Sequence, residues 1–174
     1  MDVIECLRTR LTVRRFKDDP VPDEVVERLL RAVQWAPSSR NQQPWHLVVI
    51  RDRDTLAELG RMAQSGKFLA DAPLAIAIAM ENADTPWLDA GRALQQMEIV
   101  AWAEGLGTCF VGLPTTEQVR QVKELLRIPD NFELITVLPF GYRAEKNAGR
   151  GKRRRKPLSQ MAHVEHYGNS YGAN

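Results

Sequence analysis

The sequence is poor in cysteine, and its two cysteines, Cys6 and Cys109, lie far apart along 174 residues. Their spacing matches no zinc-binding or redox motif, and two unpaired thiols are typical of a reducing compartment. The first residues, MDVIECLRTR, lack the apolar stretch of a secretory signal peptide. We therefore expect a cytoplasmic protein without a disulfide framework.

Long apolar runs and an excess of charge of one sign are missing as well. The longest apolar run, residues 73–80, is far shorter than the roughly 20 residues that a membrane-spanning helix needs. The formal net charge is only +2, although the basic residues are unevenly placed. A chain with this balance is not a polycation that coats nucleic acid, so we expect neither a membrane nor a nucleic-acid partner.

Several catalytic and binding motifs are absent. The sequence contains no GxSxG, HExxH or P-loop pattern. The stretch GLGTCFVG, residues 105–112, resembles a dinucleotide-binding turn, but it leads from a helix into a strand and its third glycine is misplaced. His163 and His166 lie in the C-terminal tail, and two histidines in a tail rarely bind a metal, so we expect no metal site. Gly112 remains of interest, because glycine allows a ligand ring to approach the backbone.

Hydrophobic periodicity predicts helices separated by β-branched strands. Helical spacing covers residues 3–11, 22–33, 56–62, 88–104 and 116–126, and strand-like runs cover residues 46–52, 73–80, 108–112 and 133–142. This order indicates a layered α+β or α/β sandwich with a sheet of about four strands. Because no repeat or linker appears, we expect a single domain over residues 1–174, with a basic C-terminal tail at 150–174.

The helix predicted at residues 88–104 is the longest in the chain. It has few charges along its middle, which is typical of a helix that is buried on more than one side. In a domain of this size, that pattern indicates a dimer interface through the helix.

Two polar features are candidates for a binding site. Basic residues cluster near both ends of the chain, and each cluster is either a solvated surface, a phosphate site or a contact for nucleic acid. The loop APSSRNQQPW, residues 36–45, is either a polar surface loop or a rigid site for a planar heterocycle. The clusters comprise Arg10, Arg14 and Arg15, and Arg150, Lys152, Arg153, Arg154, Arg155 and Lys156.

Taken in order, these segments resemble the nitroreductase family of FMN-binding oxidoreductases. The matching pieces are RLTVRRF at 10–16, PVPDEV at 20–25, WAPSSRNQQPW at 35–45, GLGTC at 105–109, VGL at 111–113, PFGY at 139–142 and RRRKPL at 153–158. The loop at 35–45 is the most specific piece. The resemblance implies an α+β three-layer sandwich with a mostly antiparallel sheet of four to five strands, and a homodimer with active sites at the interface.

The resemblance also implies which residues bind FMN. Arg10, Arg153 and Arg155 match the arginines that bind the FMN phosphate, which would explain two distant basic clusters. Thr12 matches a hydroxyl residue at the flavin, and Leu11 contributes a backbone contact. Arg14 matches the cation beside the N1 and O2 edge of the ring, where reduced flavin is negatively charged.

Two further segments complete the implied site. Asn41 matches an asparagine that hydrogen-bonds the flavin, and Pro37, Ser38 and Ser39 match a loop that reaches the cofactor of the other subunit. The strand end facing N5, where hydride arrives, corresponds to the residues Val111, Gly112 and Leu113.

The implied reaction passes hydride from NADH or NADPH through FMN to a nitroaromatic, a quinone or a similar small acceptor. No catalytic side chain is expected, because the cofactor supplies the chemistry. The stretch Glu81 to Trp87 is short, which favours an open substrate pocket, and Arg143 stands where proline is common. Alternatives remain within flavin chemistry (dehalogenation, flavin destruction, azoline oxidation) and outside it, as a non-enzymatic protein that binds anions or nucleic acid.

Overall fold

The computed structural model describes residues 1–144 and 154–172. The helices of these ranges are α1 (Val3–Thr9), α2 (Asp23–Gln34), α3 (Arg53–Met62), α4 (Pro86–Ala103) and α5 (Thr116–Leu126). The strands are β1 (Trp45–Ile50), β2 (Leu74–Glu81), β3 (Leu106–Thr108) and β4 (Phe132–Tyr142). None of the helices in the described ranges is long and apolar enough to cross a bilayer.

The four strands form one sheet in the order β1-β2-β4-β3. Each neighbouring pair is antiparallel, and a bulge interrupts the pairing of β2 with β4 between Ile78 and Ala79. The α+β fold with an antiparallel sheet, predicted from the sequence, is confirmed.

The central strand β2 is buried on both faces. Its larger side chains, Leu74, Ile76, Ile78 and Met80, pack against α2 and α4. Its alanines, at positions 75, 77 and 79, pack against α3 and α5 on the other face. The alanine side chains let α3 and α5 approach the sheet closely. Because large residues and alanines alternate along β2, helices pack on both faces of the sheet.

The helix α4 is the longest described helix, as predicted. Proline stands in its first turn, and the chain leaves the helix through Gly105, whose φ of +82° favours glycine. Its apolar residues pack under the sheet, whereas Trp87 and Leu88 are more than half exposed in a single chain.

The strand predicted at residues 108–112 is wrong in its bounds, because the strand β3 is Leu106–Thr108. Gly107 pairs with Gly141 inside this strand. Continued in the same register, Cys109 would lie opposite Pro139, which has no N–H for the ladder. The chain therefore leaves the sheet after Thr108, and Gly112 lies in an irregular segment.

Candidate functional site

The segment at residues 10–17 lies along the outer edge of the sheet beside β3. The N–H of Val13 donates to the carbonyl of Thr108 at 2.9 Å, and Thr12 pairs with Thr108 in a parallel bridge. Gly107 permits this approach, because a Cβ atom there would lie 2.5 Å from the Cβ of Val13. The predicted site residues Arg10, Thr12 and Arg14 are thereby fixed to one sheet edge.

A small apolar cluster attaches this segment to α4. Trp102 is buried with Cys6 and Val13, and Leu11 packs against them. The indole Nε1 of Trp102 donates to Thr9 Oγ1 at 3.0 Å, and the guanidinium of Arg143 lies 4.0 Å from the ring centroid. Because Leu11 is half-buried here, any contact that it makes with a ligand would come from its backbone.

Arg10 forms an ion pair with Glu98 of α4. The Arg10 Nη1 atom lies 3.2 Å from Glu98 Oε2, and both side chains are mostly shielded from solvent. Burial raises the pKa of Glu98, and the nearby Arg10 opposes that rise. Arginine carries five N–H donors, so this pair leaves donors of Arg10 available to a second anion.

Arg14 is exposed at the same edge and lies beside Cys109. Its positive charge acts on the thiol, and its guanidinium lies 5.8 Å from the ring centroid of Phe68. Burial raises the pKa of Cys109 more strongly than Arg14 lowers it. The thiol is therefore protonated near neutral pH, which supports its assignment to the core rather than to nucleophilic chemistry.

The irregular segment at residues 109–115 continues from this edge. The carbonyl of Val111 accepts a hydrogen bond from Thr136 Oγ1 at 2.8 Å, and the carbonyl of Gly112 accepts one from Ser65 Oγ at 3.4 Å. Leu113 packs against the apolar cluster beneath α3 and α5. A Cβ atom built on Gly112 would meet nothing within 4 Å, so the space beside this backbone is open.

Sequence reasoning missed the turn after α3, which borders the site through Ser65 and Phe68. The available signal was Gly66. A Cβ atom there would lie 2.6 Å from Val111 Cγ1, so this turn packs directly on the segment beside Gly112.

The loop at residues 36–45, predicted to contact the flavin, is connected to α4 rather than to the β3 edge. Pro37 is exposed, Ser38 and Ser39 are half-buried, and Asn41 is exposed. The N–H of Ser39 donates to both carboxylate oxygens of Asp89, at 3.1 and 3.2 Å. Asp89 belongs to the first turn of α4 and is fully buried.

Within one chain, the structure does not bring this loop to the edge that carries Arg10. The loop leads into β1, and residues 10–17 flank β3, at the opposite edge of the sheet. Three strand spacings separate the two edges, about 14 Å. Along α4, nine residues separate Asp89 from Glu98, which is about 13 Å at the helical rise.

The described part of the basic tail has no hydrogen bond or ion pair with the β3 edge within one chain. Arg155 is exposed, and its Nη1 donates to the carbonyl of Arg154 at 3.4 Å. Among the described residues no hydrogen bond or ion pair links Arg155 to Arg10. Arg153, the other arginine assigned to the phosphate, lies outside the described residues.

The sequence profile of the Nitroreductase family matches residues 7–67 and 61–142. The chain belongs to the nitroreductase family. A protein of Methanothermobacter thermautotrophicus named "Putative NADH dehydrogenase/NAD(P)H nitroreductase" is 32% identical over 151 residues, which cover 83% of this chain and 79% of that protein. The iodotyrosine deiodinase of Thermotoga neapolitana is 26% identical over 165 residues, covering 78% of this chain and 85% of the relative.

A solved nitroreductase structure has the same fold. The FMN-dependent nitroreductase of Clostridium difficile R20291 superposes with a TM-score of 0.84 at 26% identity, and the match covers 94% of this chain and 99% of that one. The shared fold therefore extends through nearly the whole chain.

The residues at the β3 edge of this nitroreductase fit a planar anionic cofactor. Arg10 and Arg14 supply positive charge, and the open space beside Gly112 would admit a ring. The Thr108 Oγ1 atom is buried without a hydrogen-bond partner in the described chain, and buried hydroxyl groups in proteins normally have one. This donor set suits the phosphate and the polar ring edge of FMN.

Proposed function

We propose that this nitroreductase-family chain is an NAD(P)H-dependent FMN oxidoreductase that acts as a homodimer and reduces nitroaromatic, quinone or similar small acceptors. The observation that supports the proposal is that residues 10–16, which include Arg10, Thr12 and Arg14, run along β3, from which the chain continues through Cys109, near Arg14, to the open backbone of Gly112. The names of the similar proteins from Methanothermobacter and Clostridium support the nicotinamide donor and FMN.

Bound FMN would supply the redox chemistry, accepting hydride from the nicotinamide and passing two electrons to the acceptor. The protein positions and stabilises it. Arg10 would bind the phosphate through the N–H donors that Glu98 leaves unused, and Leu11 and Thr12 would add contacts from the same segment. Arg14 would lie at the ring edge, where a fixed cation favours the anionic reduced form. No side chain has to act as an acid or a base.

The division of the proposed site between two distant parts of the chain supports a homodimer. One chain carries the arginine segment at one sheet edge and residues 37–41 near the other. A twofold axis that brings the loop of one protomer to the arginine segment of its partner would complete two equivalent sites. The exposed Trp87 and Leu88 at the start of α4 are apolar surface that such an interface would cover.

A second candidate activity is reductive dehalogenation of a small aromatic substrate. The similarity to the deiodinase of Thermotoga neapolitana favours it, at 26% identity. Only residues 82–85 connect β2 to α4, so this connection carries no helix or strand that could cover a substrate. The resulting open pocket suits several small acceptors and does not select between the two reactions.

Anaerobic spectroscopy tests the proposal. Purified protein loaded with FMN should be yellow, and NADH or NADPH should bleach its absorption. Adding a nitroaromatic, a quinone or an iodophenol should then restore the colour at different rates and thereby rank the acceptors. A colourless protein that takes up no FMN and instead binds nucleic acid through its basic tail would contradict the proposal.

The oligomeric state is tested separately by sedimentation of the FMN-loaded protein. We expect a dimer that binds two FMN molecules. A monomer that retains FMN would contradict the shared site, because one chain would then suffice.

A further inference from the structure

The carboxylate of Asp89 is fully buried, and its contacts converge from three directions. It accepts from the Ser39 N–H through both oxygens, from Thr85 Oγ1 at 3.3 Å, and from Arg92 Nη1 at 3.1 Å. Thr85 and Arg92 belong to the same helical region as Asp89, whereas Ser39 lies 50 residues earlier in the sequence. The contact with Ser39 is therefore the one that joins distant parts of the chain.

The loop that Asp89 contacts has an unfavourable backbone conformation. Arg40, Asn41 and Gln43 have φ values of +48°, +57° and +49°. Non-glycine residues seldom adopt this left-handed region, and such residues persist only where surrounding contacts determine them. The loop needs fixed contacts to keep this shape.

The other contacts of the loop are exposed. Ser38 Oγ accepts from the N–H of Gln43 at 2.9 Å, which sets the internal turn. Two contacts reach Asp84: its N–H donates to Gln42 Oε1 at 3.3 Å, and its carboxylate pairs with Arg40 at 3.5 Å. Both are exposed to water, and a surface ion pair of this kind contributes little. The buried carboxylate of Asp89 therefore fixes the loop relative to α4, which also carries Glu98, the partner of Arg10.

We propose that Asp89 is a positioning residue: its buried carboxylate fixes the Ser39 N–H and thereby orients residues 37–41 toward the flavin ring of the partner's site. The proposal rests on the proposed function, since it assigns the ring side of the FMN site to this loop. Asp89 itself makes no contact with the cofactor.

The variant Asp89→Asn tests this role with little change in volume. It keeps one oxygen for Ser39 but removes the charge and the second acceptor. We expect the affinity for FMN to fall roughly tenfold or more, as the loss of a charge-assisted hydrogen bond implies. The matched control is Asp84→Asn, which removes the exposed partner of Arg40 and should change the affinity less than about twofold.

Riboflavin, which lacks the phosphate, separates positioning of the ring from other effects. Asp89→Asn should weaken riboflavin and FMN by the same factor, and it should alter the visible circular dichroism of the bound flavin. Arg10→Ala should weaken FMN alone. A variant that unfolds at lower temperature yet binds both flavins as tightly as the wild type, with an unchanged spectrum, would show that Asp89 serves stability only and would overturn the proposal.

Amide exchange in the wild-type apoprotein tests the geometry without any substitution. The Ser39 N–H should exchange far more slowly than that of Arg40, although both lie in one surface loop. Equal, fast exchange at both positions would overturn the role of Asp89. If Ser39 is protected but the wild type binds no flavin, the proposed function fails while the contact with Asp89 stands.

Discussion

The guanidinium of Arg10 lies 3.2 Å from the carboxylate of Glu98, and this pair joins the end of α1 to the C-terminal half of α4. Both side chains are largely shielded, yet one quarter of the Arg10 side chain remains exposed. The pair thus fixes the direction of a cation that keeps unused N–H donors and partial access to solvent. This arrangement is the basis of the phosphate assignment.

Replacing Arg10 by alanine should weaken FMN binding. A charge-assisted hydrogen bond contributes about 1.5–3 kcal/mol, which corresponds to roughly a 10- to 150-fold rise in Kd. Titration of the apoprotein by flavin fluorescence measures the change. Arg31→Ala, on the exposed face of α2 in an ion pair with Glu27, is the matched control and should bind FMN normally. Equal affinities for both variants would remove Arg10 from the phosphate site.

Arg155→Ala should also weaken FMN binding if the tail of one protomer reaches the phosphate. Within the described part of its own chain, Arg155 donates to the carbonyl of Arg154 and has no hydrogen bond or ion pair with the β3 edge, so its effect should appear only in the dimer. Measuring FMN affinity above and below the dimer dissociation concentration checks this. A loss of affinity that is independent of protein concentration would contradict a contribution from the partner.

The stability of the apoprotein should depend on pH through Glu98. Because burial raises the pKa of Glu98, the folded state binds its proton more tightly than the unfolded state does. This contribution is fully present below the ordinary value of 4.5 and is lost as pH rises through the raised pKa. Glu98→Gln cannot ionise, so its stability relative to wild type should increase as pH rises from the ordinary value of 4.5 through the raised pKa.

Glu117 provides a control of opposite sign. Hydrogen bonds from Arg120 and Gln121 lower the pKa of Glu117, so its stabilisation is present above the ordinary value and is lost as pH falls. Glu117→Gln should therefore lose stability relative to wild type as pH rises, measured by urea unfolding. The same trend in both variants would refute the assignment for Glu98.

Gly107→Ala should strain the contact between β3 and the arginine segment. The added methyl group would lie 2.5–2.7 Å from three side-chain atoms of Val13, and overpacking of this kind costs roughly 1–3 kcal/mol. The double variant with Val13→Gly should be less destabilised than the sum of the two single variants, because removing the whole Val13 side chain, including the Cβ atom 2.5 Å away, vacates that space. Strict additivity in urea unfolding would show that the two residues are not in contact.

Arg14→Gln should lower the reduction potential of bound FMN. Loss of a charge-assisted contact of about 1.5–3 kcal/mol with the reduced ring corresponds to roughly 30–65 mV for two electrons. Anaerobic titration against a reference dye measures the potential, and Arg31→Gln serves as the control. An unchanged potential in Arg14→Gln would place this cation away from the ring edge.

The sequence predicted the fold well, because β2 and α4 carry clear periodic patterns. The alternation of large residues and alanines in residues 74–80 predicts a strand buried on both faces, and Gly105 marks the end of α4. We misplaced the strand at 108–112 because residues 109–111, CFV, are apolar and have a high β propensity whether or not they lie in a strand. The strand ends at Thr108 because the next residue, Cys109, would lie opposite Pro139. These two residues are 30 positions apart, and only the strand register shows that they would face each other.

The candidate site was predicted in part. The resemblance identified Arg10 and Arg14, but neither Glu98 nor Asp89, the carboxylates that orient Arg10 and the loop. An acidic residue in the first turn of a helix, such as Asp89, ordinarily serves the helix dipole. Only the tertiary structure shows that Asp89 is fully buried and bound to Ser39.

Mixing two defective variants tests the shared site most directly. Arg10→Ala impairs the edge of one protomer, and Asn41→Ala impairs the loop that the other contributes. When the two proteins are dissociated and reassociated in equal amounts, half of the dimers are hybrids, each with one intact site. We predict that about a quarter of the wild-type FMN capacity returns. Recovery no greater than the average of the separate variants would show that each site is built within one chain.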